Sequence, residues 1–390
     1  MKKYIIIAAA ALVAAAACSK VENTIEAPEE AISFKVVDYS AATRADGDPT
    51  SLIDEGYKQF TTFAWIHADG AEAGTPFMNA EIIKPNNETN PTEWAPSSRP
   101  YYWPKSESSY INFFSFAGTK VPATMSTEGE VTIADVTVDK TSNILVADAA
   151  YGYKKNTNPA KYGASGATEG VPTLFRHMLA QVYFDVKLDA TVVEDAKYKF
   201  TAVINELTLT SKNTGAISLK FTAPSSTPGE SKFDSEKGWE LGESTGSLAK
   251  TENVTLTATG TKTAPESGFQ KLMDWSSVMP QVLSVTTGAT GSTPATTTDN
   301  VFVTFKYTLT TQYDTNDPYD EVITVSNVPL SKFTPTVTKW DMNTRYTYHI
   351  TINPVSGEKI LFDPAVEAWA DGGEHSYTYP EATTGTTSGN

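Results

Sequence analysis

The sequence predicts an all-β protein built from two tandem antiparallel β-sandwich domains. Runs in which apolar and polar residues alternate recur along the chain, and this period of two is typical of half-buried antiparallel strands. Loops rich in Gly, Pro, Asn, Thr and Ser separate the runs, as in β-sandwiches. The length of 390 residues suits two domains of this kind.

Several segments carry the strand pattern, and convincing helical periodicity is almost absent. The clearest predicted strands are Ile32–Val36, Phe60–Ile66, Tyr110–Ala117, Val182–Leu188, Val203–Leu209, Val301–Leu309 and Tyr346–Ile352. The best candidates for short helices are Leu174–Ala180 and Phe269–Trp275. Almost all of the predicted regular structure is therefore β.

The N-terminal segment has the pattern of an export signal. Residues 1–17 combine two lysines with a short Ala-rich apolar run, as in a secretory signal peptide. The run ends at Cys18, the only cysteine in the chain. Small residues before such a cysteine predict a lipid attachment site, although Ala15 stands where bacterial lipoproteins usually have Leu. The alternative is ordinary cleavage near Ala17, which leaves Cys18 as a free thiol.

The composition excludes several functional classes. The chain has 46 acidic and 30 basic side chains and a net charge of −16, which argues against nucleic acid as the main partner. A single cysteine cannot form an internal disulfide. Together with four scattered histidines it provides no usual set of zinc ligands. We therefore expect no nucleic-acid partner, no metal and no cofactor.

The search for catalytic motifs predicts a protein that is not an enzyme. The sequence has no Gly-x-Ser-x-Gly elbow, no Walker A loop and no Gly-x-Gly-x-x-Gly loop. The histidines belong to no known motif, and we interpret all of them as surface residues: His67, His177, His349 and His375. No catalytic residue is nominated.

Two further clusters each have two interpretations. The acidic segment Asp314–Glu321 is predicted to be a solvated turn, with a calcium site as the alternative because carboxylate and carbonyl oxygens are calcium ligands. The aromatic residues between Trp94 and Tyr110 are predicted to be core, since each buries a large apolar area. The alternative for them is a platform on which a sugar ring stacks.

A loop-rich stretch at 154–172 indicates a domain boundary near residue 178. The predicted parts are a signal peptide at 1–17, a lipidated propeptide with the first strand at 18–44, an N-terminal sandwich at 45–178, a C-terminal sandwich at 179–371 and an extended tail at 372–390.

Several segments, taken in order, resemble the fimbrillin family, the subunits of type V pili of Bacteroidales-type bacteria. The most specific is VPTLFRHMLAQV at 171–182, which resembles the signature that opens the family's second domain. The others are RPYYWP at 99–104 with INFFSFA at 111–117, NILVAD at 143–148, VMPQ at 278–281, and YTYHI at 346–350 with the segment 360–369. Asn143 and Ile144 depart from the family pattern.

The resemblance implies two transthyretin-like β-sandwich domains and no catalysis. It implies an outer-membrane lipoprotein precursor anchored through Cys18. A trypsin-like protease would cut between Arg44 and Ala45 and release the first strand. The apolar residues of that strand are Ile32, Phe34 and Val36. The groove left behind would accept a strand from another pilin subunit, so that subunits polymerise at the cell surface.

The residues around Arg44 fit this role. Arg44 is the only arginine before Arg99 and lies among small residues ahead of a Gly/Pro loop, where a protease has easy access. Losing the first strand exposes apolar surface and unpaired backbone groups, and a donated strand covers both. The alternative is that Arg44 is an ordinary loop residue and the first strand stays in place.

The C-terminal tail is a weak candidate donor strand. Tyr377 and Tyr379 share one face, but Pro380 interrupts the ladder. Stalk, tip, anchor and accessory positions therefore stay open. The predicted function is a subunit of a cell-surface fimbria that supports adhesion, with a host or glycan receptor as a further candidate partner. The alternative is a surface-anchored glycan- or ligand-binding lipoprotein of the same fold, which keeps Cys18 and its first strand.

Overall fold

The structure, a computed structural model, describes residues 31–37, 52, 56–68, 73–89, 91, 93–154, 170–191, 193–225, 227–235, 237–260, 268–288, 296–333, 337–354 and 360–368. Nearly all regular structure in these residues is β, which confirms the predicted all-β class. Among them, no helix has the length and apolar character that crossing a bilayer requires.

The strands are numbered in chain order. Those of the first half are β1 (Phe34–Val37), β2 (Phe60–Ala68), β3 (Thr75–Pro85), β4 (Trp94–Pro96), β5 (Ser109–Gly118), β6 (Glu130–Thr137), β7 (Ile144–Ala147), β8 (Ala149–Tyr153) and β9 (Val171–His177). Next come β10 (Ala180–Leu188), β11 (Tyr198–Lys212), β12 (Thr214–Lys220), β13 (Gly229–Ser231), β14 (Trp239–Leu241), β15 (Thr245–Ala249), β16 (Thr255–Thr259) and β17 (Gln270–Val278). The last are β18 (Gln281–Val282), β19 (Ser284–Thr287), β20 (Thr296–Asp299), β21 (Phe302–Tyr313), β22 (Tyr319–Pro329), β23 (Lys339–Trp340), β24 (Thr344–Ile352) and β25 (Ile360–Ala368), with a one-turn helix α1 (Leu330–Phe333) after β22.

A sheet in the first half of the chain closes on itself. Its strands follow the order β5-β2-β3-β4-β1-β9-β7, and β7 pairs back onto β5, so that seven strands form a closed sheet. β8 and β13 extend it sideways from β5. An antiparallel β-sandwich was predicted here. The sheet closes instead because β9 pairs with both β1 and β7.

A second, three-stranded sheet covers part of the outer face of the closed sheet. This covering sheet has the order β14-β12-β6. Phe60 and Ile111 of β2 and β5 are buried inside the closed sheet, whereas Phe63 and Phe114 of the same strands pack under the covering sheet. Both faces of β2 and β5 are therefore covered, which explains why their sequences are apolar at both parities.

The later strands form a sandwich around a separate core. The sheet β17-β10-β24-β25 faces the sheet β15-β11-β21-β22, and β16 adds to β11. Phe184, Phe305 and Tyr348 lie fully buried between these sheets. The buried indole N–H of Trp340 donates to the Tyr348 hydroxyl at 2.8 Å. The transthyretin-like topology and the boundary at residues 178 and 179 stay predictions.

Two strand pairs differ from the antiparallel prediction. β1 runs parallel to β9, and β10 runs parallel to β24 over nine residue pairs. An alternating pattern identifies the buried face of a strand but carries no information about the direction of its neighbour. The direction is fixed by connections far apart in sequence, which the pattern does not record.

Both predicted helical segments are strands, so those predictions were wrong. Leu174–Ala180 runs from β9 to the first residue of β10, and Phe269–Trp275 lies largely in β17. β9 is paired on both sides and β17 pairs with β10. These backbone hydrogen bonds outweigh the weak intrinsic preference of Leu, Met and Ala for helix.

Candidate functional site

β1 is the strand that completes the closed sheet between β4 and β9. It meets β4 at a single antiparallel pair, Phe34 with Trp94. Along β9 it forms a parallel ladder of four residue pairs. The Val171 N–H donates to the Ser33 carbonyl at 2.8 Å, and the Ile32 N–H donates to the Tyr101 carbonyl at 2.7 Å. Without β1 the sheet would be open between β4 and β9.

The apolar side chains of this segment fill the interior of the closed sheet. Ile32, Phe34 and Val36 are each 1% exposed. The Phe34 ring meets Phe60 and Phe113 edge to face, with centroids 5.6 and 5.5 Å apart. Burial of three such side chains contributes about 5–9 kcal/mol of hydrophobic free energy. The segment predicted as the first strand is therefore a central part of the core.

The start of β9 is shaped around β1. The backbone N–H of Val171 points toward β1. The backbone nitrogen of the next residue, Pro172, therefore points away from β1, where its lack of an N–H costs no hydrogen bond to that strand. A Cβ on Gly170 would lie 2.9 Å from the Lys35 nitrogen, so only glycine allows this close approach. Sequence reasoning assigned this segment to the opening of a second domain and missed its contact with β1. The available signal was the start of β9, Val171–Phe175, where only Thr173 is polar, since a mostly apolar run is typical of a strand buried on both faces.

A buried ion pair holds the far end of β9 independently of β1. The Arg176 guanidinium donates twice to the Asp148 carboxylate, at 2.8 Å each, and the two side chains are 13% and 6% exposed. Asp148 lies between β7 and β8, which both pair with β5. A bidentate ion pair between arginine and a carboxylate is a strong and directional interaction. The end of β9 near Arg176 is therefore held in place by contacts that do not involve β1.

The prediction that the histidines are surface residues was wrong for His67, whereas His177 and His349 are half-buried. His67 is 5% exposed. Burial, with the charge of Arg345 adding to it, lowers the pKa of His177 to about 3. Its neutral ring is paired with the Asn143 side chain, Nδ1 lying 2.8 Å from Oδ1. His349 Nδ1 lies 2.7 Å from an Asp185 oxygen.

Neighbours on other strands cover these histidines fully or in part, and a single strand's pattern cannot show that. The neighbour of His349 is itself affected by burial. Burial raises the pKa of the Asp185 carboxyl group, while the hydrogen bond from His349 opposes the shift. His375 lies outside the described residues.

The aromatic cluster and the acidic segment, which each had two interpretations, lie in different environments. Trp94 and Trp103 are buried in the core of the closed sheet, which confirms the core interpretation for them, while Tyr102 is 40% exposed. Of the acidic segment Asp314–Glu321, residues 314–318 connect β21 to β22, residues 314–320 are exposed, and Glu321 is half-buried in β22. Lys197 approaches Asp314 at 3.3 Å. Within the described part of the chain, no three His, Cys, Asp or Glu side chains are grouped as metal ligands.

The remaining predicted site residues cannot be placed. The lipidation site Cys18, the cleavage site Arg44–Ala45 and the donor candidates Tyr377 and Tyr379 all lie outside the described residues.

The fold and this site define an all-β protein in which a short N-terminal strand completes a closed sheet. The chain belongs to the fimbrillin-like family, whose sequence pattern it matches over residues 43–369. Membership gives it a fimbrial or adhesion role at the cell surface. A search of curated protein sequences finds no match.

Two solved structures illustrate the similarity. A fimbrial protein from Bacteroides vulgatus shares 15% identity with a TM-score of 0.46, covering 86% of this chain and 99% of that one. The C-terminally truncated tip fimbrial protein Mfa3 from Porphyromonas gingivalis shares 11% identity with a TM-score of 0.34, covering 81% of this chain and 96% of that one.

Proposed function

We propose that the chain is a structural, non-catalytic subunit of a cell-surface fimbria and that it assembles by exchange of its first strand. The observation that carries this proposal is the position of β1, which completes the closed sheet with Ile32, Phe34 and Val36 buried inside. A strand so placed can be replaced by one from a neighbour, because β4 and β9 already form both walls of the groove.

The proposed sequence of events begins with export. The precursor reaches the outer membrane as a lipoprotein held through Cys18, and a trypsin-like protease cuts after Arg44. β1 is then joined to the rest of the subunit only by non-covalent contacts. The family match begins at residue 43, next to Arg44, so β1 lies outside the shared part of the chain.

Replacement of β1 by a donated strand is energetically more favourable than loss of β1 without a replacement. An empty groove would expose the apolar interior around Phe60 and Phe113 and the unpaired backbone of β9, and both are costly in water. A donated strand restores the backbone hydrogen bonds and fills the same positions. The tail with Tyr377 and Tyr379 is the candidate donor, and a subunit that only accepts a strand would occupy the tip.

The alternative function is a glycan- or ligand-binding lipoprotein that keeps Cys18 and β1. Its main sequence signal was the aromatic cluster around Trp94 and Trp103. Those two rings are buried in the core, so they offer no stacking platform to a sugar. The alternative therefore loses the sequence signal at Trp94 and Trp103.

Substitution of Arg44 tests the proposed processing. We expect Arg44→Ala to fold and reach the surface but to keep its N-terminal segment and to stay out of high-mass assemblies. Arg99→Ala is the matched control, because Arg99 is exposed and its guanidinium stacks over the Tyr101 ring at 4.8 Å. Gel analysis of surface fractions under non-denaturing conditions measures assembly. Normal assembly of Arg44→Ala would remove Arg44 from the account.

A further inference from the structure

A cleft of about 790 Å³ lies beside the closed sheet, away from β1. We call it the His67 cleft. Its lining includes Trp65, His67, Tyr110, Asn112, Glu128 and Tyr151. The first four belong to β2 and β5, where Trp65 is paired with Asn112 and His67 with Tyr110 on the outer face of the sheet. Glu128 precedes β6 and Tyr151 belongs to β8.

A network of hydrogen bonds fixes the carboxylate of Glu128. The Gly152 N–H donates to Asn112 Oδ1 at 2.9 Å, which directs the Asn112 Nδ2 group to Glu128 Oε1 at 2.5 Å. His67 Nε2 lies 2.7 Å from the same oxygen. His67 Nε2 also lies 3.1 Å from Asn112 Nδ2, and in the tautomer with its proton on Nε2 the imidazole donates to Oε1. Two donors therefore converge on Oε1, and neither of them binds Oε2.

Gly74 packs closely against the hydrogen-bond network and the Oε2 atom of Glu128. A Cβ on Gly74 would lie 2.9 Å from Oε2 and 2.5 Å from His67 Nε2, so a larger residue would collide with the network. The Glu128 side chain is 18% exposed. His67 Nδ1 is buried and has no hydrogen-bond partner among the described residues. A buried unpaired nitrogen in a polar network is unusual for a purely structural contact.

Aromatic side chains supply an apolar wall and a further donor. The half-buried Tyr110 ring lies parallel to the His67 imidazole, with centroids 4.8 Å apart and an angle of 2° between the planes. Burial, and then the charge of Glu128, raises the pKa of the Tyr151 hydroxyl, which therefore keeps its proton. The cleft thus combines a flat ring, a fixed acceptor and a hydroxyl donor.

We propose that the His67 cleft binds a neutral saccharide. The Tyr110 ring packs against the apolar face of the sugar, Glu128 Oε2 accepts from a sugar hydroxyl, and the Tyr151 hydroxyl donates to a sugar oxygen. This combination of a ring and a few oriented polar groups is how compact sites recognise small polar ligands. The inference goes beyond the proposed assembly function and does not depend on strand exchange.

Other ligand classes fit the cleft less well. A phosphate would face the Glu128 carboxylate, and the basic residue of the lining, Lys154, already donates to the Glu107 carbonyl at 3.1 Å. A wholly apolar ligand would bury the Glu128 charge without a partner on Oε2. A neutral compound rich in hydroxyl groups meets neither obstacle.

The test is saturation-transfer NMR and calorimetric titration of the full chain with the methyl α-glycosides of glucose, galactose and mannose and with N-acetylglucosamine. N-acetylneuraminic acid serves as an anionic probe. Because binding is measured on the unassembled full chain, the result is independent of cleavage and polymerisation. We expect at least one neutral probe to bind with a Kd of about 1 mM or below.

Two variants and two matched controls localise the binding. Glu128→Gln and Tyr110→Ala should each weaken it about tenfold or more, whereas the exposed controls Glu243→Gln and Tyr319→Ala should leave it unchanged. Glu128→Gln preserves the size of the side chain, so it remains informative if Tyr110→Ala fails to fold. The proposal is overturned if no neutral probe binds at about 20 mM, if only the anionic sugar binds, or if Glu128→Gln binds like the wild type.

Discussion

At the scale of single residues, Phe34 contributes most directly to closing the sheet. Its ring is 1% exposed and touches the rings of Phe60 and Phe113, which come from β2 and β5. One side chain of β1 therefore joins strands that are far apart in sequence. The sequence pattern predicted that Phe34 is buried, but it did not identify these partners, because they depend on the closure of the sheet.

We expect Phe34→Ala to lower the free energy of unfolding of the uncleaved chain by about 3–5 kcal/mol, the usual cost of truncating a buried Phe. Phe269→Ala is the control, because Phe269 is 43% exposed, and its effect should be below about 1 kcal/mol. Urea denaturation measures both. Equal effects of the two substitutions would show that β1 contributes little to the core.

His177 should make stability depend on pH. Its pKa is lowered to about 3 in the folded chain from an ordinary value of 6.5, chiefly by burial. The unfolded state then binds more protons between these values, so stability is full above pH 6.5 and is lost as the pH falls toward 3. The loss approaches about 1.4 kcal/mol for each pH unit in this window.

The variant His177→Gln tests this dependence, because Gln keeps an N–H donor for Asn143 and does not titrate. Urea unfolding is measured at about pH 7 and about pH 4.5. Other groups with shifted pKa values, such as Asp185, are common to both proteins and cancel in the comparison. We expect the wild type to lose more stability on acidification than the variant. Equal losses would contradict the assignment of a buried neutral imidazole.

At the scale of elements, β1 fills the gap in the closed sheet between β4 and β9. Its ladder with β9 has four residue pairs, and its contact with β4 is one pair. β9 is held separately by the ion pair of Arg176 with Asp148. The groove should therefore accept an added strand that reproduces the apolar pattern of β1.

We expect a chain that begins at Ala45 to bind a synthetic peptide with the sequence of residues 31–37, AISFKVV. Binding to the folded state raises its stability by about 2.7 kcal/mol when the peptide is at a hundred times its Kd. Thermal melting with increasing peptide measures this. The control peptide carries Phe34→Asp and should have no effect. Equal stabilisation by both peptides would contradict a specific groove.

The limits of sequence reasoning are clearest at this scale. The alternating pattern located β10, β11, β21 and β24, because each has one face on a core and the other toward solvent or a polar layer. It did not reveal the parallel pairing of β1 with β9, which depends on chain direction. It also predicted helix for parts of β9 and β17, because the intrinsic preference of these residues for helix is weaker than the backbone pairing with neighbouring strands.

At the scale of the whole molecule, one short segment separates the precursor from the proposed subunit. Loss of residues 1–17 with Lys2 and Lys3 takes the net charge from −16 to −18, and the proposed cut after Arg44 removes three basic and five acidic side chains, which returns it to −16. The proposed cut therefore changes the net charge by only two, and its main effect is on the closed sheet, which loses the covalent link to β1. The family could be inferred from motif order, whereas the closed sheet and the His67 cleft required the three-dimensional arrangement.

The most direct test of strand exchange is the intact mass and N-terminal sequence of the chain recovered from surface assemblies. The account predicts subunits that begin at Ala45, found in high-mass assemblies and lacking the lipidated segment at 18–44. A chain that still carries Cys18 and β1 within those assemblies would contradict it.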